Sequence, residues 1–188
     1  MYLNGYTSTR EQPVGESSST RAMPLLEPAH LLQAISGRCT STVPLVRWAR
    51  ELSDMHAESI PFRIDQAPQL ACEPVRAEID RVVGEIDAWA ARHVPRTKSA
   101  RKHTHSLGEV ISHIAKTYAE AWWIVLHSAD TETRHHAWFH LAEAREGYAE
   151  MVNEIRTRHL QLPLGSSGIW SAAGDIGYER KRNVTSNT

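Results

Sequence analysis

Residues 106–126 read SLGEVISHIAKTYAEAWWIVL. Leu107, Val110, Ile111, Ile114, Tyr118, Trp122 and Val125 recur at three- and four-residue spacings, the period of a helix with one buried face. Ser106 stands three residues before Glu109. That is the spacing of a capping box, in which each side chain satisfies a backbone N–H left free at the helix start. The stretch therefore predicts a helix that opens at Ser106 and runs to about Leu126.

The same period extends in both directions. After a short turn at 128–130, a second helix is expected to reach about Leu160, with Ala137, Leu141, Ala144, Tyr148, Val152 and Ile155 on its inner face. So short a connection makes the two helices antiparallel neighbours. Upstream, Pro74 suits a first helical turn and Pro95 closes a helix ending near His93. Val75, Ile79, Val82, Val83, Ile86, Trp89 and Ala90 form its stripe, with Asp80, Arg81, Glu85 and Asp87 facing away. A further helix spans about Pro44 to Ser59, with Ser41 or Thr42 near its cap. Leu45, Trp48, Ala49, Leu52, Met55 and His56 lie on its apolar face, and Pro61 ends it. Pro28 to Ser36 makes two turns and stops at Gly37, a favourable residue beyond a helix end.

No segment alternates like a strand, so the fold class is all-α. The expected architecture is an antiparallel up-and-down bundle of four main helices plus a short N-terminal helix. Ile79, Val82, Ile86, Leu107, Ile111, Ile114, Leu141, Val152 and Ile155 should share one core. The bundle domain covers 23–162. Residues 1–22, rich in Ser, Thr, Gly and Gln, read as a disordered N-terminal tail. Residues 163–188 form a C-terminal tail in which Trp170, Ile176 and Tyr178 could pin onto the body or onto a second subunit.

The 188 residues fit one domain with tails. The formal charge is −1 with acids and bases interleaved, so the body offers no single-sign face for nucleic acid. Two basic clusters, Arg96–Lys98–Arg101–Lys102 and Arg180–Lys181–Arg182, read as solvated loop charges. Cys39 and Cys72 make no disulfide framework, which points to a reducing cytoplasm. The polar N-terminus lacks the apolar core of a signal peptide. No apolar run approaches the ~20 residues that span a membrane.

Eleven histidines make the chain histidine-rich. At about 100° per residue, Glu109, His113, Lys116, Glu120 and His127 form one stripe, opposite the apolar face of their helix. Glu132, His136 and Glu143 cluster on the next helix, with His140 at the margin. His136 and His140 stand four apart, the spacing by which one helix offers two imidazoles to a metal. His136, His140 and Glu143 are thus the candidate ligands for a divalent metal, the one cofactor that the sequence suggests. Such stripes are also what any amphipathic helix presents to water, and HHAWFH lacks the glutamate of a zincin motif. A di-iron bundle needs two Glu-x-x-His pairs, and Glu132 with His135 is a single one.

His56 differs because it sits on an apolar face, where an imidazole needs a hydrogen-bond partner. It reads either as a satisfied core histidine or as part of a site. His103 and His105 precede a helix start, whose amides favour anions. Two enzyme patterns bear on these residues. Arg134 and His140 match the Arg-to-His interval of helical RNases of the HEPN class. The paired carboxylates of helical nucleotide pyrophosphohydrolases are not completed at Glu85 or Glu109, which are followed at the third position by Ala88 and Ser112.

The signature HTHSLGEVISHIA (103–115), within Ala77 to Pro163, resembles an uncharacterised, largely actinobacterial family of short helical proteins, the DUF4254-like domain of unknown function. His103, Thr104, Ser106, Leu107 and Gly108 carry the likeness, with Leu52 and His56 upstream. The resemblance implies a helical fold and brings no activity. Where it leads one to expect an Asp the chain has Ser112, and His105 stands for a usual Glu.

The reading is a binding or regulatory accessory protein that works as a homo-oligomer or on a protein partner, away from membranes and nucleic acid. The alternative is a hydrolase using histidines and carboxylates. The candidate ligand site combines His56 with His103, His105 and Glu109.

Overall fold

In the computed structural model, which describes residues 24–65 and 69–163, the stretch quoted above is the helix around which the others are arranged. Among the described residues five helices run Pro28–Ile35 (α1), Pro44–Ile64 (α2), Gln69–His93 (α3), Leu107–His127 (α4) and Thr131–Arg156 (α5). Helix α4 packs against α2, α3 and α5, while α1 packs against α2 and α5. The protein is mostly helical, and none of the described helices is long and apolar enough to cross a membrane. Residues 1–22 and Trp170, Ile176 and Tyr178 lie outside the described residues.

The capping box at α4 is complete. Glu109 N–H donates to Ser106 Oγ at 3.2 Å, and Ser106 N–H donates to Glu109 Oε2 at 2.7 Å. Asp130 caps α5 by accepting from Thr133 N–H at 2.8 Å. Helix α1 ends as expected at Gly37, whose φ of 72° lies in the left-handed region. There Arg38 N–H reaches Gln33 O and Gly37 N–H reaches Ala34 O, the paired bonds of a Schellman end.

One core runs through all five helices. Leu31, Ile35, Leu45, Leu52, Val82, Ile86, Leu107, Ile111, Ile114, Val152 and Ile155 are buried in it. Each such side chain withdrawn from water contributes roughly 1.5–3 kcal/mol. Of the nine core residues expected from the sequence, eight are buried and Ile79 is half-buried. Tyr148 reaches across to Leu26 O at 2.8 Å, and Arg156 pairs with Glu27, so α5 holds the entry to α1.

Several boundaries and faces differ from the sequence reading. Helix α2 passes through Pro61 to Ile64. A proline there removes only the N–H that would serve Ala57 O, and Ala57 is exposed, where water can replace it. Helix α3 starts at Gln69, five residues before Pro74. Helix α5 stops at Arg156, because Arg158 adopts a left-handed φ of 63° and turns the chain back.

Residues 160–161 (β2) then pair in parallel with 101–102 (β1). His103 N–H donates to Gln161 O at 2.9 Å in extension of that pairing. Two residues are too few to show alternation, so the sequence pattern concealed this pair. The apolar face of α4 also drifts. Ala115, Ala119 and Ala121 are buried, while Trp122 is 44% exposed. Small residues let neighbouring helices approach closely, and the large ring is displaced to the rim.

Candidate functional site

Two charges assigned to solvent find partners on other elements. Glu85 accepts from Trp48 Nε1–H at 2.6 Å and pairs with Arg81, which joins α2 to α3. Asp87 is buried, and its Oδ1 accepts the backbone N–H of Gly108 at 2.8 Å. The helix period alone assigns both to the outer face. Their partners, an indole N–H and a helix-start amide, come from other elements and leave no local signal.

This arrangement decides what the start of α4 can do. The N–H of Gly108 goes to Asp87, that of Glu109 to Ser106, and that of Val110 to Ser106 O. A buried carboxylate thus takes the Gly108 amide, one of the groups that would otherwise face an external anion at this helix start. His103 and His105 are engaged within the loop. His103 Nδ1 lies 2.8 Å from His105 O, and His105 Nδ1 lies 3.0 Å from Thr104 Oγ1.

His56 and Glu109 share a cavity; His103 and His105 do not line it. The space measures about 280 Å³ and lies among α2, α3 and α4. His56 comes from α2, Ile79, Asp80 and Val83 from α3, and Glu109, Ser112, His113 and Lys116 from α4. The α4 residues fall on one side because their spacings of three and four repeat along the helix. The sequence places Glu109, His113 and Lys116 on the polar side of α4, with Glu109 also in the candidate ligand site. Glu109 and Ser112 are half-buried, and only His113 and Lys116 stay exposed.

His56 Nε2 lies 2.9 Å from Ser112 Oγ. Either the hydroxyl donates to a bare Nε2, or Nε2–H donates to the hydroxyl oxygen. Burial lowers the imidazole pKa to about 4, with Lys116 and Arg63 adding to the shift. Glu120 and the contact with Ser112 act in the opposite direction. At neutral pH the ring is therefore uncharged, and the cavity is lined by a neutral imidazole together with acidic Asp80 and Glu109 and basic Lys116. The hydrogen-bond partner that an imidazole on an apolar face needs is thus the Ser112 hydroxyl.

The remaining candidates do not converge. His140 Nδ1 lies 3.1 Å from Glu143 Oε2, while His136 Nε2 lies 3.9 Å from Glu132 Oε1. Among the described residues no three His, Cys, Asp or Glu side chains are grouped to hold a metal ion within one chain. Arg134 turns to Thr131 Oγ1 at 3.2 Å, away from the carboxylate that His140 meets. Cys39 and Cys72 are free and half-buried.

A larger groove of about 420 Å³ escaped the sequence reading. It runs between α2 and α4 past Asp54, Ile60, Tyr118, Trp122 and Leu126. Its one local signal was the continuation of apolar residues on α4 beyond the length the core needs. Compared with family models, with curated proteins and with solved structures, the chain matches none of them.

Proposed function

We propose that this is a binding or accessory protein of the cytoplasm, an antiparallel helical bundle that holds a small polar ligand in the cavity beside His56. The observation that carries the reading is the half-buried His56–Ser112 pair, which lines one space together with Asp80, Glu109 and Lys116. Ligand sites combine apolar walls with a few converging polar groups, and Ile79 and Val83 supply the apolar part. Carboxylates and an ammonium group around one space suit a molecule that carries both an amine and a carboxylate. Of the residues that carry the likeness to the DUF4254-like proteins, His56 lines this cavity.

A serine hydroxyl against an imidazole is also the geometry of a nucleophile and its base, which supports a hydrolase as the second reading. Binding is favoured over it for a physical reason. A general base works best with a pKa near the working pH, and His56 lies well below neutrality. The partner of its Nε2 is a hydroxyl rather than an orienting carboxylate, and the amides of Gly108, Glu109 and Val110 at the start of α4 are already engaged.

Thermal melts of the full chain against single amino acids, simple amines and simple carboxylates test the proposal. An amino acid should raise Tm in the native protein and leave Lys116→Ala and His56→Phe unmoved, provided both variants keep native circular dichroism. A rise that survives both substitutions would place the ligand elsewhere. Covalent capture of Ser112 by an organophosphonate, lost in His56→Phe, would support the hydrolase instead.

A further inference from the structure

The first half of α5 is unusually bare. Between Thr131 and Glu143 it buries only Ala137 and Leu141, leaving Trp138 42% and Phe139 58% exposed. On this surface His136 and His140 stand one helical turn apart, with side chains 68% and 66% exposed. Residues four apart on a helix have Cβ atoms about 5–6 Å from each other, close enough for two imidazoles to grip one ion. His140 is also set in place. Its Nδ1–H donates to Glu143 Oε2 at 3.1 Å, which leaves Nε2 as the outward ligand atom. A carboxylate behind a ligating histidine is the usual means of fixing its ring. Glu132 stands 3.9 Å from His136 Nε2, beyond hydrogen-bond reach, so that nitrogen is not tied up by it.

We propose that this face binds a zinc-type divalent ion between two copies of the chain, each contributing His136 and His140. The grip is incomplete in one chain. Zinc takes four ligands in tetrahedral array, a single α5 offers two, and no third His, Cys, Asp or Glu joins them among the described residues. A two-fold axis presents the same patch twice, which brings the count to four. Charge makes the pairing depend on the ion. Glu132 and Glu143 share the stripe with the two histidines, so two bare faces bring four carboxylates together and repel. A divalent cation between them offsets that repulsion. By helical phase Phe139 lies in the same stripe, where the second copy would cover it.

The test is the mass of the full chain, free of any affinity histidine tag, by light scattering after gel filtration. In EDTA the chain should run as a monomer of 21.1 kDa. Zinc should double the mass at one ion per two chains, and EDTA should reverse the change. His136→Gln and His140→Gln should each abolish the response without loss of helical signal. Phe139→Ser should weaken the zinc dimer several-fold. His113→Gln combined with His127→Gln, on another helix, should leave it intact. Zinc bound without a change in mass would overturn the proposal. So would a zinc dimer that persists in the His136→Gln, His140→Gln double variant, or a mass in EDTA already equal to two chains.

Discussion

Gly108 N–H donates to Asp87 Oδ1 at 2.8 Å where α3 and α4 come closest, and the glycine is required there by space as well as by its amide. A Cβ at 108 would stand 2.4 Å from Val83 O and 2.9 Å from Val83 Cγ1. The first of these is helix backbone and cannot swing aside. Gly108→Ala should therefore destabilise by about 1–3 kcal/mol or more, despite the better helix propensity of alanine. Gly84 and Gly147 lie within helices with nothing within 4 Å of an added Cβ. Alanine at either should be neutral or stabilise by up to about 1 kcal/mol. Urea melts of the three variants check the contrast, and equal effects would show that the α3–α4 contact is looser than described.

The capping box gives a second test at the same helix start. Ser106 is buried and satisfies the Glu109 amide, so Ser106→Ala should cost about 1 kcal/mol. Ser106→Thr should retain most of the stability, because its hydroxyl can make the same bond. Chemical denaturation of both variants measures this, and an alanine variant as stable as the threonine one would remove the box from the account.

The reach of sequence reasoning in this chain follows from which forces are local. The α4 start, the Gly37 end and eight core positions were legible because caps and apolar period act within one or two turns. Pro61 and Pro74 misplaced two helix boundaries because a proline within the first or last turns of a helix need not end it, and at Pro61 the orphaned carbonyl of exposed Ala57 can meet water. Asp87 and Glu85 were misplaced because their partners lie 21 and 37 residues away. For the candidate site, the position of His56 on an apolar face identified one wall, and Glu109 was part of the expectation. Asp80 and Lys116 were not, since the pattern along one helix does not say which polar row a neighbouring helix will shelter.

His56 should make stability depend on pH in a defined window. Its folded pKa of about 4 lies below the unfolded value of 6.5, so between these limits the unfolded chain binds more protons. Stability must then rise with pH through this range and flatten above about 6.5. Acidification from 6.5 to 4 should cost on the order of 2–3 kcal/mol through this one group. Carboxylates also titrate near the lower end, so the measurement is the difference between the native chain and His56→Gln. Urea melts at intervals from pH 7.5 to 4.5 should show the two converging as pH falls. A constant difference across that range would mean that His56 is not neutralised by folding.

Ser112→Asp tests the same imidazole from the other side. In the native chain His56 meets a hydroxyl, which contributes no charge, while Lys116 and Arg63 disfavour its protonated form. A carboxylate at 112 would stand within hydrogen-bond reach of Nε2 and favour the imidazolium. Such a neighbour should raise the proton affinity of the ring by about ten- to a thousandfold, moving its titration from about 4 toward or above the ordinary histidine value. Lys116→Gln should act in the same direction and less strongly, because it removes a smaller opposing influence than burial. The imidazole resonances of His56, followed by NMR through an acid titration, report the change directly. The pH window of the preceding test should contract in Ser112→Asp, since the folded and unfolded affinities come closer together. If His56 in Ser112→Asp still titrates near its native value, the side chain at 112 does not face the ring, and the cavity loses the pair on which its reading as a ligand site depends.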